Sequence, residues 1–214
     1  SQIQVNPKTN LTFAEGLRAL VRQDPDIIMV GEIRDTETAN IAVNSALTGH
    51  LLLSTLHTND AATALPRLMD MGVEPFLIAS TVNVIVAQRL VRLSCHKCRK
   101  SEPLNADELV LVEAEPSVKE LLKAKGVRDW KKMNVYRGAG CKICGQTGYY
   151  GRIGIFEVLQ INDKIRDLIT KKATSVEINK VAMTSGMNSI LSDGLDKVLA
   201  GLTTLEEVLR IVKT

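Results

Sequence analysis

The stretch from Asp24 to Asp35 constrains the fold more than any other part of this sequence. Its centre, Ile27 to Val30, is an unbroken apolar run, and Gly31, Glu32 and further charged residues follow directly. A run without a polar side is typical of a strand buried on both faces of a parallel sheet. Because ligands in α/β proteins bind beyond the carboxyl ends of the strands, Glu32 is expected at the mouth of a site. The simpler interpretation is a core strand followed by a solvated charged turn.

A second apolar segment, 51–56, also ends in polar residues, among them Ser54, Thr55 and His57. A helix is predicted between the two segments, at 36–47, with Gly49 ending it. This strand–helix–strand order predicts a right-handed parallel crossover, which brings both sets of polar side chains to one edge. An apolar strand delivering a carboxylate to that edge is the Walker B arrangement, in which the acid acts on Mg²⁺ or on the attacking water beside a triphosphate.

Further helices and strands are predicted along the rest of the sequence, and the predicted fold class is α/β. Helical spacing predicts helices at 12–23, 60–71, 75–81, 106–113, 117–125, 163–172, 175–185, 189–199 and 205–212. Short apolar runs predict strands at 84–86, 90–93 and 153–159, the first two separated by Gln88 and Arg89.

Charge and apolar content limit the classes of protein. No apolar run approaches the ~20 residues of a membrane span, and no signal-peptide pattern opens the chain. The net charge is +3, but residues 94–144 carry +4 and the remainder −1, which favours an acidic or anionic partner for that segment. The opening residues, without a starting Met, resemble the interior of a domain, so the chain is expected to be a fragment.

Two Cys-x-x-Cys pairs, Cys95 with Cys98 and Cys141 with Cys144, form the strongest local signal. Four thiolates suit a structural Zn²⁺ ion, and the 42 residues between the pairs predict a small inserted subdomain. Gly145 is expected to turn the backbone so that amides donate to the sulfurs. The alternatives are reduced free cysteines and a redox pair, with His96 as a weak competing ligand.

Several motifs together resemble the type II secretion system ATPases and type IV pilus assembly ATPases. Residues 22–35 are similar to the Walker B signature of that family, and residues 47–60 are similar to its histidine box. Further similarity covers 88–92 and the passage from Gly145 through Gly148 to Tyr149, Gly151 and Arg152. The resemblance extends over essentially the whole chain.

The resemblance implies an organisation in three parts. Residues 1–93 would be the C-terminal part of a RecA-like P-loop ATPase core, 94–152 an inserted tetracysteine zinc-binding module, and 153–214 a C-terminal helical subdomain. It implies a homo-hexamer that couples ATP hydrolysis to pseudopilus or type IV pilus assembly. The expected location is cytoplasmic and peripheral to the bacterial inner membrane, with the membrane platform and cytoplasmic secretion proteins as partners. The tetracysteine module marks assembly-type relatives; retraction-type relatives lack it.

The resemblance also implies roles for individual residues. Glu32 would be the catalytic Walker B acid that polarises the attacking water and supports Mg²⁺, and Gly31 next to it would be part of the nucleotide site. His57 with Ser54 or Thr55 would sense the γ-phosphate. Arg22 would bind nucleotide. Arg18 and Arg22 lie four residues apart on one helix face and could reach the nucleotide of a neighbouring subunit, since guanidinium groups suit phosphate recognition, although a solvated face is the expected place of Arg18. From the residues alone, and not from the resemblance, Arg34 and Asp35 are expected simply to pair with each other near the surface and not to be catalytic.

One departure from the family matters for activity. A P-loop places Lys directly after a glycine, and none of the fourteen glycines here is followed by Lys. The Walker A motif is therefore expected before Ser1, so that ATP and Mg²⁺ bind the full-length protein and this chain alone is inactive. Two other interpretations stay open: a zinc-stapled interaction module that docks on the membrane platform without catalysis, and a zinc-ribbon nucleic-acid binder. Low charge and few aromatic residues count against the latter, and no sequence-specific nucleic acid is expected as a partner.

Overall fold

The computed structural model describes residues 2–6, 8 and 11–212. The described residues begin with α1 Phe13–Val21, β1 Ile27–Val30, α2 Thr36–Leu47, β2 Leu51–Ser54, α3 Ala64–Asp70 and α4 Pro75–Thr81. The middle of the chain forms β3 Val84–Ser94, β4 Arg99–Pro103, α5 Ala106–Ala114, α6 Pro116–Ala124, a 3₁₀ turn at Trp130–Lys132, β5 Asn134–Gly138 and β6 Tyr149–Gln160. It continues with α7 Asp163–Thr170, α8 Ser175–Thr184, α9 Ile190–Leu199 and α10 Leu205–Val212. The predicted mixed α/β class is confirmed.

Strands β1 and β2 pair in parallel, with Ile27 opposite Leu51 and Val30 opposite Ser54. The helix between them, α2, begins at an N-cap formed by Asp35, whose Oδ1 accepts from the backbone N–H of Thr38 at 2.7 Å. The cap satisfies one of the free N–H groups at the helix start and fixes where the chain leaves the strand edge. The predicted parallel strand–helix–strand unit is confirmed.

The expectation that β1 is buried on both faces is wrong. Ile28 and Val30 are buried, whereas Ile27 is 61% and Met29 72% exposed. Their neighbours on β2, Leu51 and Leu53, are also more than half exposed. Successive side chains of a strand point to opposite faces, so this sheet has one covered and one open apolar face.

Strand β3 is also longer than predicted, since Gln88 and Arg89 do not divide it. Gln88 falls on the exposed side of an alternating burial pattern, where a polar side chain is compatible with a strand. The strand pairs with β6, which itself starts at Tyr149 instead of residue 153. β4 and β5, which the sequence analysis did not predict, form an antiparallel pair with Arg99 opposite Gly138.

The chain divides into two compact units. The first comprises Ser1–Val86 and Val158–Met187, and the second Ala87–Glu157 and Asn188–Thr214. In the first unit α4 packs against α7 and α1 against α2. A continuous apolar core in the second unit includes Val91, Ile155 and Leu195. These units do not follow the predicted boundaries at 93 and 152, and the three-part division stays a prediction.

None of the helices in the described ranges is long and apolar enough to cross a membrane.

Candidate functional site

The polar residues after β1 and β2 meet at one edge of the sheet, as the parallel arrangement predicts. The hydroxyl of Thr55 donates to the carbonyl oxygen of Gly31 at 2.7 Å. The backbone N–H of Ile33 donates to the carbonyl oxygen of Thr55 at 3.0 Å, and the Ile33 side chain is buried. These two bonds hold the loop after β1 against the segment after β2, and Glu32 lies between the bonded residues.

The Glu32 carboxylate uses only one of its oxygens for bonds within the protein. Its Oε2 lies 2.5 Å from Arg34 Nε and 3.1 Å from His57 Nε2. Its Oε1 has no partner among the residues that the structure describes. The Glu32 side chain is 20% exposed, while Arg34 and His57 are mostly exposed. This group lies at an open edge and is not a dry internal ion pair.

The charge of Glu32 follows from these neighbours. The hydrogen bond from Arg34 lowers the pKa of the carboxyl group, partial burial opposes this effect, and His57 adds to the lowering. Glu32 is therefore ionised at neutral pH, with one oxygen open to a further ligand.

The other predicted site residues differ in their surroundings. The Ser54 hydroxyl, at the end of β2, is buried and has no hydrogen-bond partner within the described part of the chain. Arg22 is exposed just after α1, and no hydrogen bond or ion pair connects it with Glu32 or His57 across the described residues. Arg18, one turn earlier, pairs with Glu15 at 2.8 Å and with Glu37.

The expected pair between Arg34 and Asp35 is wrong. Arg34 binds Glu32, and Asp35 caps α2 instead. The sequence analysis thus missed Arg34 as a neighbour of the site. Its position two residues after Glu32 was a weak signal, because the contact depends on the conformation of the loop.

The four cysteines lie together in the second unit. Their sulfurs are all within 4.8 Å of one another, with Cys95–Cys141 and Cys98–Cys144 distances of 3.9 Å and a Cys141–Cys144 distance of 3.7 Å. A tetrahedral zinc ion with Zn–S bonds of about 2.3 Å places its sulfurs about 3.8 Å apart. A disulfide would need about 2.05 Å. The distances between the sulfurs therefore fit a metal ion bound by all four cysteines.

Backbone amides around the cluster favour thiolates. The N–H of Cys141 donates to Cys144 Sγ at 3.2 Å, and Gly145 has the positive φ of 58° that the predicted turn requires. Burial acts against ionisation of Cys144, but the amides of Cys141 and Gly148 outweigh it and lower its pKa to about 6. Burial raises the pKa of the Cys98 thiol to about 12. Because four thiolates repel one another, a divalent cation is required for all four to ionise.

Comparison with known proteins identifies the family to which this chain belongs. Residues 1–210 match the family model described as "Type II/IV secretion system protein". The chain therefore belongs to the type II/IV secretion system protein family.

The chain is identical to three relatives at about half of the aligned positions. The chain is 50% identical to the type IV pilus assembly ATPase PilB of Thermus thermophilus over 212 residues, which are 98% of this chain and 22% of the relative. It is 50% identical to the type II secretion system protein E of Pseudomonas aeruginosa over 214 residues, covering 99% of this chain and 39% of the relative. The type II secretion system ATPase E of Vibrio cholerae is 49% identical, with the same coverage of both chains. The chain thus spans less than half the length of these relatives.

Solved structures of ATPases share the fold. The pilus retraction motor PilT, determined with bound ADP, superposes with a TM-score of 0.61 at 25% identity, covering 94% of this chain and 43% of that one. The ATPase DotB of Legionella pneumophila gives a TM-score of 0.60 at 22% identity, covering 98% and 45%.

Proposed function

We propose that this chain is the C-terminal portion of a hexameric ATPase that couples ATP hydrolysis to the assembly of a pseudopilus or a type IV pilus. The observation that carries the proposal is the ionised Glu32 carboxylate, whose Oε1 is open at the carboxyl edge of two parallel strands. Relatives named as secretion and pilus ATPases support it. The chain supplies the Walker B side of a RecA-like core, and the full-length motor acts in the cytoplasm at the inner membrane.

The residues at this edge suit magnesium and a triphosphate. A free carboxylate oxygen on Glu32 and the unpartnered hydroxyl of Ser54 are hard oxygen groups of the kind that Mg²⁺ prefers. When bound, Mg²⁺ neutralises charge on the β- and γ-phosphates of ATP. The phosphate-binding loop comes from another part of the full-length motor, because no glycine of this chain is followed by Lys.

The roles of the side chains follow from their bonds. Arg34 keeps Glu32 ionised, so its Oε1 can accept a hydrogen bond from the attacking water and orient it. A carboxylate with a lowered pKa is a weak base, and Glu32 therefore polarises the water more than it removes its proton. His57, bonded to Oε2 and mostly exposed, reaches out from this edge and reports the loss of the γ-phosphate. The Arg22 side chain has no hydrogen-bond or ion-pair partner among the described residues and serves the nucleotide of a neighbouring subunit.

Replacing Glu32 in the full-length motor tests the proposal. Glu32→Gln removes the charge and keeps the size, so we expect steady-state ATP turnover to fall by at least about a hundredfold. Glu37→Gln, which removes an exposed carboxylate of α2, is the matched control and should leave turnover near the wild-type value. Equal turnover in the two variants would exclude Glu32 from the reaction.

The same assay on the 214-residue chain alone should give no hydrolysis above that of its Glu32→Gln variant. Turnover clearly above this background would show that the chain contains a complete nucleotide site, against the proposal.

A second candidate function is supported by the tetrathiolate cluster and the positive charge of residues 94–144. In this alternative the second unit is a zinc-stapled module that docks on an acidic surface of the inner-membrane platform and performs no catalysis itself.

A further inference from the structure

A pocket of about 380 Å³ lies within the second unit, at the start of β6. Its lining residues are Arg92, Thr147, Tyr149, Gly151 and Arg152. This volume is at the lower end of the range for small-molecule sites. Two of the described lining residues are arginines and none is acidic.

Arg92 is held in place by a buried carboxylate. Its Nη2 lies 2.5 Å from Glu207 Oε1, and its backbone N–H donates to Glu207 Oε2 at 3.1 Å. The guanidinium carbon is also 4.1 Å from the centroid of the Tyr149 ring. Glu207 is 1% exposed, whereas the Arg92 side chain is 48% exposed. The guanidinium is therefore oriented from behind and still accessible from the pocket.

The surrounding groups are fixed as well. The Tyr149 hydroxyl is hydrogen-bonded to the Thr204 hydroxyl at 2.9 Å, which sets the ring under Arg92. The Thr147 hydroxyl donates to the carbonyl oxygen of Cys144 at 2.6 Å. Gly151 has a φ of 81°, a backbone conformation that residues other than glycine rarely adopt. Apart from Arg152, the residues that line the pocket are thus held in place by these contacts.

Arg152 is the group without a partner. Its side chain is exposed and forms no hydrogen bond, ion pair or ring contact with any residue that the structure describes. Two guanidinium groups that line one pocket, with no acidic residue among the described lining residues, favour binding of an anion there. Each guanidinium offers a planar fork of N–H donors.

We propose that this pocket binds a phosphate group, with Arg92 and Arg152 donating to its oxygens from two sides. A phosphate offers at least three oxygens and up to two negative charges to two guanidinium groups, whereas a carboxylate offers two oxygens and one charge. The same group is present in inorganic phosphate and at the end of a nucleotide. The carboxylate of an acidic peptide is the competing ligand.

The test is a titration of the zinc-loaded protein followed by NMR of the arginine Nε–H groups, with ionic strength kept constant by sodium chloride. Inorganic phosphate and ADP are titrated separately, and an oligoaspartate peptide serves as the carboxylate probe. We expect saturable shifts of the Arg92 and Arg152 signals with phosphate or ADP. Saturation by inorganic phosphate assigns a free-phosphate site; saturation by ADP alone assigns a nucleotide site.

Variants decide whether Arg152 makes the site. Arg152→Gln should weaken binding about tenfold or more, since it removes one charge-assisted fork without breaking any contact of the folded protein. Arg128→Gln removes the same charge from another exposed position of the second unit and should bind like the wild type. Glu32→Gln should also bind like the wild type, so failure here is distinguishable from failure of the proposed ATPase function.

Three results would overturn the assignment. These are equal affinity of the Arg152→Gln and Arg128→Gln variants, shifts that rise linearly without saturation, and saturation by oligoaspartate but by neither phosphate probe.

Discussion

Two glutamates with arginine partners show how their surroundings set their roles. In Glu207 both carboxylate oxygens are used, because Oε1 and Oε2 each accept bonds from Arg92 and from Arg210 at 2.5 to 3.1 Å. In Glu32 only Oε2 is used. The Glu207 carboxylate is buried and both of its oxygens accept hydrogen bonds, so it stabilises the fold. The Glu32 carboxylate keeps one oxygen without a partner among the described residues and can bind a further group.

The ionisation of Glu207 makes the stability of the second unit depend on pH. Burial acts to raise its pKa, but the bonds from Arg92 and Arg210 lower it to about 2. Since this folded-state pKa lies below the unfolded value of about 4.3, the stabilisation is fully present above that value. It is lost progressively as the pH falls toward 2.

Glu207→Gln is therefore expected to lower the free energy of unfolding by about 2 kcal/mol near neutral pH. The difference from the wild type should shrink in acid, and urea unfolding at several pH values measures it. Glu206→Gln, an exposed neighbour on α10, is the control and should change the stability little. A loss for Glu207→Gln that is the same at all pH values would contradict the assignment of the charge.

Among the helices and strands, those whose bounds depend on nearby residues were predicted better than those that depend on contacts with distant residues. The bounds of α2, α4 and α10 were predicted as found, because N-caps, Pro75 and glycine stops act within a few residues. The sequence did not indicate β4, whose residues Arg99–Pro103 show no apolar alternation and which pairs with a strand more than thirty residues away. Its position depends on the contact with β5, which no local pattern encodes.

The same distinction applies to the candidate sites. The contact between Glu32 and His57 followed from the rule that parallel strands end at one edge, and the cysteine cluster followed from spacing. The bond from Arg34 depends on the turn after β1 and was missed. The open face of β1 was missed because an apolar run predicts burial without telling what covers it.

The cluster of four cysteines should hold about one zinc ion per chain and stabilise the second unit. Removing the ion with a chelator under reducing conditions is expected to lower the melting temperature by about 10 °C or more, since metal binding adds to the folding free energy. Cys98→Ser should lose the metal, whereas His96→Ala should keep it, because His96 is exposed and lies outside the sulfur cluster. Elemental analysis and thermal unfolding measure both effects; an unchanged melting temperature without metal would exclude a structural role.

At the scale of the whole molecule, the charge is concentrated in the segment that carries the cysteines. Residues 94–144 carry a net charge of +4 and the rest of the chain carries −1, which together give the net charge of +3. Arg99 is committed to the fold, since its guanidinium donates to the carbonyl oxygen of Gly201 at 2.5 Å and lies 5.2 Å from the Tyr136 ring centroid. Lys100, Lys131 and Lys132 are exposed, and of their three ammonium groups only that of Lys132 forms an ion pair within the described residues, with Asp129 at 3.8 Å.

These three lysines are therefore the positions at which docking on an acidic platform surface can be tested without disturbing the fold. Reversing the charge to Glu at Lys100, Lys131 and Lys132 should weaken binding to the cytoplasmic part of the inner-membrane platform by about tenfold, mainly through slower association at low salt. The control reverses three exposed lysines of the first unit, Lys164, Lys171 and Lys180. Equal weakening by both triple variants would indicate a non-specific charge effect, and unchanged binding of the first variant would remove the docking function from consideration.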